Sequence, residues 1–103
     1  FQPRNAAIHT AVLAGHATIR RSVMGDDFRR AARPDEIQRM TALMDQAMRD
    51  GALGLSTGLE YEVGSYSTTD EVIALAKVAA RHKGIYVSHI RDEADKTFEA
   101  LRE

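Results

Sequence analysis

The chain has 103 residues, 44% of them apolar and 28% charged, with a formal net charge of −1 and no cysteine. That length holds at most one small domain, and the composition is that of a folded, soluble chain rather than a disordered or fibrous one. The apolar stretches fall short of the ~18–20 residues a membrane span needs, no secretory leader pattern opens the chain, and without thiols there is neither a disulfide framework nor thiolate chemistry; no membrane partner and a cytoplasmic, reducing compartment are the expectation.

Taken in chain order, NAAIHTAVLAGH has a continuous apolar core, Ala11 to Ala14. Residues 7–14 therefore read as a buried strand, with Gly15 and His16 leaving its carboxyl end. A polar stretch follows, in which Arg20, Arg21, Arg29, Arg30 and Arg33 interleave with Asp26, Asp27, Asp35 and Glu36. The local balance of only about +1 favours a solvated face of mixed charge and argues against a nucleic-acid partner. Pro34 suits the first turn of a helix, with Asp35 and Glu36 at the positive end of its dipole. Ile37, Met40, Leu43 or Met44, Ala47 and Met48 form an apolar stripe, and Gly51 supplies the stop.

ALGLSTG is a run of strand length ending at Gly58, followed by a loop of Gly, Ser, Tyr and Thr. Thr68-Thr69-Asp70-Glu71 matches a capping box and opens a helix over about 69–82 that buries Val72, Leu75, Ala76 and Ala79. A strand over Ile85 to Ser88, a polar turn and a third helix from about 94 complete the chain. The order β-α-β-α-β-α predicts an α/β fold of three consecutive βα units with parallel strands. Such units make either a small open sheet or a partial (β/α)8, TIM-type barrel. In both arrangements functional side chains belong at the carboxyl ends of the strands.

His16, the stretch from Ser56 to Tyr61, and the stretch from His89 to Glu93 fall there. His89 closes the apolar strand of IYVSHIRDE, where an imidazole can ligate a metal or simply cap the next turn. One histidine does not make a zinc site, and no HxH, HExxH or CxxC accompanies it. Arg91 can clamp a substrate carboxylate or pair with Asp92, Glu93 or Asp95. His16, His9 and His82 read as structural, His82 through the last carbonyls of its helix. Glu60 and Glu62, flanking Tyr61, read as a solvated loop rather than an acid–base pair. GALGLSTG lacks the lysine and spacing of a phosphate loop.

Together, GHATIRRSVMG and GALGLSTGLEYEVGSYSTTDEVIALAKVAARHKGIYVSHIRDE resemble the D-aminoacylase (N-acyl-D-amino-acid deacylase) family of the amidohydrolase superfamily, from about Asn5 to the chain end. The pairing of GALGLSTGL-x-Y-x-x-G with SHIRDE carries the resemblance. It implies a (β/α)8 barrel with metal, usually Zn2+, at the carboxyl ends of its strands, and hydrolysis of the amide of an N-acyl-D-amino acid, a small-molecule substrate. It further implies His89 as a metal ligand, Tyr61 near the substrate, and a substrate-side or supporting role for Arg91. His16 and Arg20 match a GHGTLR-like segment, with Ala17 where glycine is common. Glu60 and Val63 depart from the apolar residue and proline that other members often carry, which leaves the substrate side chain open.

The early HxH pair, bridging cysteine, later histidine and catalytic aspartate expected of the family have no counterpart in the sequence. The chain starts at Phe1 and stops within DKTFEALRE, which reads as an unfinished helix. The expectation is a single partial catalytic domain over 1–103, inactive and without tight zinc on its own, and prone to self-association through uncovered strand edges. The competing reading is a self-contained α/β binding or interaction module without catalysis.

Overall fold

Three short parallel strands form the sheet, in the spatial order β1–β2–β3. The computed structural model describes residues 8–103. In chain order they form β1 (Ala14–Gly15), α1 (His16–Met24), α2 (Pro34–Arg49), β2 (Gly54–Gly58), a 3-10 turn (Gly64–Tyr66), α3 (Thr69–Arg81), β3 (Ile85–His89) and α4 (Thr97–Arg102). β2 lies in the middle, paired with β1 at Ala14–Leu55 and Gly15–Ser56, and with β3 from Gly54–Ile85 to Gly58–His89. Spatial order follows chain order, as consecutive βα units require, and the expected α/β class holds.

Three elements differ from the sequence expectation. The strand placed over 7–14 is shorter: position 7 lies outside the described residues, and pairing starts at Ala14. Ahead of it the backbone makes one bond toward β2, from the Leu53 N–H to the Val12 carbonyl at 2.8 Å, and Ile8, His9 and Val12 are exposed. Among the described residues the run has a partner on one side only, so its first part stays exposed while Leu13 and Ala14 are half-buried.

The polar stretch after Gly15 contains α1, which hydrophobic periodicity did not register. The buried stripe of α1 is His16, Ile19, Arg20 and Met24, so half of it is polar. Arg20 is fully buried and does not belong to the solvated charged face. Glu36 is buried as well, held by the half-exposed Arg30, while Arg21 with Asp26, Arg30 with Asp27 and Arg33 with Asp35 make the exposed or half-exposed pairs expected.

α2 begins at Pro34 and is tied at its start by the Arg33 N–H donating to Glu36 Oε1 at 2.9 Å. Met40, Met44 and Met48 are buried at four-residue spacing, whereas Leu43 is exposed. The turn out of α2 needs Gly51, whose φ of 105° is a conformation side chains with a Cβ disfavour. α3 is capped by Thr68 Oγ1, which accepts the Glu71 N–H at 3.3 Å, and buries Val72, Leu75, Val78 and Ala79. At the carboxyl end of α3 the His82 ring reaches Asp45 of α2 at 2.8 Å, rather than the helix carbonyls expected from sequence.

Met40, Met44, Leu55 and Leu75 are fully buried, where α2 and α3 meet β2. Each such side chain contributes roughly 1.5–3 kcal/mol of apolar burial. α4 starts at Thr97 rather than about 94, because Asp92 Oδ1 accepts the N–H groups of Ala94 (2.7 Å) and Lys96 (3.2 Å) and competes with a first helical turn. No helix among the described residues is long and apolar enough to cross a membrane.

Candidate active site

β2 and β3 leave the sheet side by side, because Gly58 pairs with His89 and the Leu59 N–H donates to the His89 carbonyl at 3.1 Å. The loop beyond Gly58 then folds back on itself. The Ser65 N–H donates to the Tyr61 carbonyl at 2.8 Å, and Gly64 lies so close to the Gly58 carbonyl that a Cβ there would collide with it. A Cβ on Gly58 would stand 2.5 Å from Cδ2 of Tyr61. The two glycines of the G-L-x-Y-x-x-G pattern are therefore needed for space. Their close approach lays Tyr61 against His89, with ring centroids 4.8 Å apart and an interplanar angle of 45°.

His89 is the last residue of β3, and each of its ring nitrogens faces a carboxylate. Nδ1 is 3.4 Å from Glu60 Oε2 and Nε2 is 3.1 Å from Glu93 Oε1. Nδ1 also lies 3.3 Å from the Ile90 carbonyl. The three side chains bring one donor atom each to within 4.8 Å of one another. One imidazole and two carboxylates match the donor chemistry of zinc, and the half-exposed site admits an ion. The residues present thus fit a metal. From sequence, Glu60 was a solvated loop residue and Glu93 a candidate partner for Arg91. The signal that joins them to His89 is the i, i+4 spacing of Glu93 together with the register that zips β2 to β3.

Arg91 does not pair with Asp92, Glu93 or Asp95. It donates through Nε and Nη2 to both oxygens of Glu103, at 2.8 and 2.7 Å, and through Nη1 to the Ser65 carbonyl at 3.2 Å. Glu103 Oε1 also accepts from Thr69 Oγ1 at 2.7 Å. The bond to Glu103 raises the Arg91 pKa above its ordinary value, and the same bond lowers that of Glu103. In this arrangement Arg91 braces the turn after β3 against the 3-10 turn and the start of α3.

His16, at the carboxyl end of β1, is turned into the protein rather than toward His89. Its Nε2 lies 2.7 Å from Glu71 Oε1, and Arg20 bonds the other oxygen of the same carboxylate; all three side chains are fully buried. Arg20 also donates to the carbonyl oxygens of Phe28, at 3.0 Å, and Arg30. Burial pushes the Glu71 carboxyl up, but the bonds and charges of His16 and Arg20 outweigh it and leave the pKa below the ordinary carboxylate value. The segment that Arg20 holds carries Arg29, which stacks 4.5 Å over the Phe28 ring and pairs with Glu62. The buried network so reaches the loop that bears Glu60 and Tyr61.

No family model matches the chain. It is 42% identical over 98 residues to a D-aminoacylase and 43% identical over 99 residues to an N-acyl-D-aspartate deacylase, both from Alcaligenes xylosoxydans xylosoxydans. A solved D-aminoacylase superposes with a TM-score of 0.88 at 42% identity, over 93% of this chain and 20% of that one. Over 95% of its length the chain is similar to D-aminoacylases. It spans 20% of the length of the two curated relatives, while 95% of its own length is matched. An N-acyl-D-glutamate deacylase from Bordetella bronchiseptica, solved with zinc and a phosphonate mimic of the tetrahedral intermediate, superposes with a TM-score of 0.89 at 38% identity, over 95% of this chain and 20% of that one. These similarities and the three parallel βα units agree with the resemblance read from GALGLSTGLEY and SHIRDE.

Proposed function

We propose that these residues form part of a zinc-dependent deacylase that hydrolyses N-acyl-D-amino acids to a D-amino acid and a carboxylic acid. The observation that carries the reading is His89, set at the carboxyl end of β3 between Glu60 and Glu93 and under Tyr61. Its setting is a backbone that superposes on a D-aminoacylase.

When bound, zinc supplies a polarised acyl carbonyl and a water made acidic enough to attack near neutral pH. His89 would hold it. Whichever ring nitrogen takes the metal, the other has a carboxylate within reach to receive its N–H, the arrangement that fixes the tautomer and orientation of a ligating imidazole. Tyr61, 60% exposed, covers one side of that ring and offers the substrate an aromatic surface. Arg91 serves a substrate carboxylate only by exchanging Glu103 for it.

A zinc site takes at least three protein ligands. Among the described residues His89 is the one imidazole of its cluster, since His16 is turned inward onto Glu71, and the two carboxylates beside it are engaged by its ring nitrogens. The chain also spans only 20% of the curated D-aminoacylase. The 103-residue chain by itself is therefore expected to be inactive. β3 also presents Ile85, Tyr86 and Val87 about half exposed along an edge that pairs only with β2, so the isolated chain is expected to self-associate. The gene product carrying these residues should release D-amino acids from N-acetyl-D-amino acids and leave the L enantiomers intact. Equal turnover of both enantiomers, or of neither, would defeat the reading.

A further inference from the structure

We propose that Glu60 sets the side-chain preference of this site, admitting N-acyl-D-amino acids with neutral or cationic side chains and turning away acidic ones. The inference rests on the deacylase reading above. Leu59 is buried and Tyr61 is packed on His89, so the backbone between them is fixed and Glu60 stands outward, 48% exposed at its side chain, with Oε2 3.4 Å from His89 Nδ1. Glu93 adds a second carboxylate 3.1 Å from the other ring nitrogen.

The arginines that adjoin these loops are already committed. Arg91 is held by both oxygens of Glu103 and by the Ser65 carbonyl, and Arg29 is held by Glu62 over the Phe28 ring. A substrate carboxylate reaching into the space beside Glu60 meets like charge, with both of these guanidinium groups occupied. A cationic or neutral side chain meets no such opposition. Within a part-buried site that difference is worth on the order of tenfold or more in kcat/KM.

Sequence identity does not decide the matter. The chain is 42% identical to a D-aminoacylase, 43% to an N-acyl-D-aspartate deacylase and 39% to an N-acyl-D-glutamate deacylase, too narrow a spread to choose among side chains. The charge beside His89 does choose.

The test is kcat/KM of the gene product for the N-acetyl derivatives of D-leucine, D-lysine and D-glutamate, in the parent protein and in Glu60→Gln and Glu60→Lys, with thermal melts and zinc content checked for each. The parent should handle the D-glutamate substrate about tenfold or more worse than the other two. Glu60→Lys should raise the D-glutamate to D-leucine ratio by about tenfold or more, with Glu60→Gln between. A parent that prefers D-glutamate, a ratio unmoved by Glu60→Lys in a folded, zinc-loaded variant, or loss of zinc from folded Glu60→Gln and Glu60→Lys, which would make Glu60 a metal donor instead, overturns the role of Glu60 as a selector while leaving the deacylase reading intact. No turnover of any N-acetyl-D-amino acid overturns both.

Discussion

Glu71 occupies the first turn of α3, where its backbone N–H is capped by Thr68 while its carboxylate turns inward to His16 and Arg20. Removing one member of such a buried network strands the others without a counter-charge, so Glu71→Ala should cost about 3–5 kcal/mol, read as a lowered urea midpoint. An unchanged midpoint would show that the triad is not structural. Glu36 makes the pH argument. The bonds from Arg30 and from the Arg33 N–H lower its carboxyl from 4.5 to about 2. The unfolded chain then binds more protons than the folded one in that window, so this stabilisation is present above the ordinary value of 4.5 and is lost as pH falls toward about 2. Glu71, shifted the same way, adds to the loss. Glu36→Gln should weaken the fold at neutral pH and flatten its acid limb, as seen in denaturant midpoints taken down the pH scale. The capping signature made the start of α3 legible in the sequence, but it gave no hint that its acid is buried. That fact depends on α1, 51 residues away at Arg20.

At the scale of elements, hydrophobic period found α2 and α3 because their buried faces are mostly apolar, and it missed α1 because His16 and Arg20 fill half of the stripe it buries. Short apolar runs marked β2 and β3, although Ile85, Tyr86 and Val87 of β3 are exposed. The loop between β2 and α3 was legible only as a motif. What the motif meant physically, two glycines meeting so that Tyr61 lies on His89, required the backbone. Gly64→Ala should push the loop off Gly58 and part the two rings. The check is the His89 ring-proton resonances, which the neighbouring Tyr61 ring displaces and which should move toward unshielded positions in the variant. Resonances that stay in place would show that the loop does not depend on that contact. Thr68→Ala should cost about 1 kcal/mol through the lost cap, and more would mean that the entry of α3 also steadies Glu71.

At the scale of the molecule, the sheet is open at β1 and at β3 among the described residues, and the exposed side chains Ile85, Tyr86 and Val87 lie on the second of these strands. Sedimentation of the isolated 103-residue chain should show association that grows with concentration, and a compact monomer at high concentration would count against it. The candidate site was partly legible for the same reason. His89 and Tyr61 sit in contiguous motifs, whereas Glu60, Glu93 and the commitment of Arg91 to Glu103 come from pairing between segments distant in sequence. In the proposed function His89 holds the catalytic metal of a D-specific deacylase. The most direct measurement is zinc content and N-acetyl-D-amino-acid turnover, taken together on the parent gene product and on a folded His89→Ala variant. The parent should carry zinc and turn over the D substrate, and the variant should lose both. A variant that keeps its zinc and its rate would contradict it.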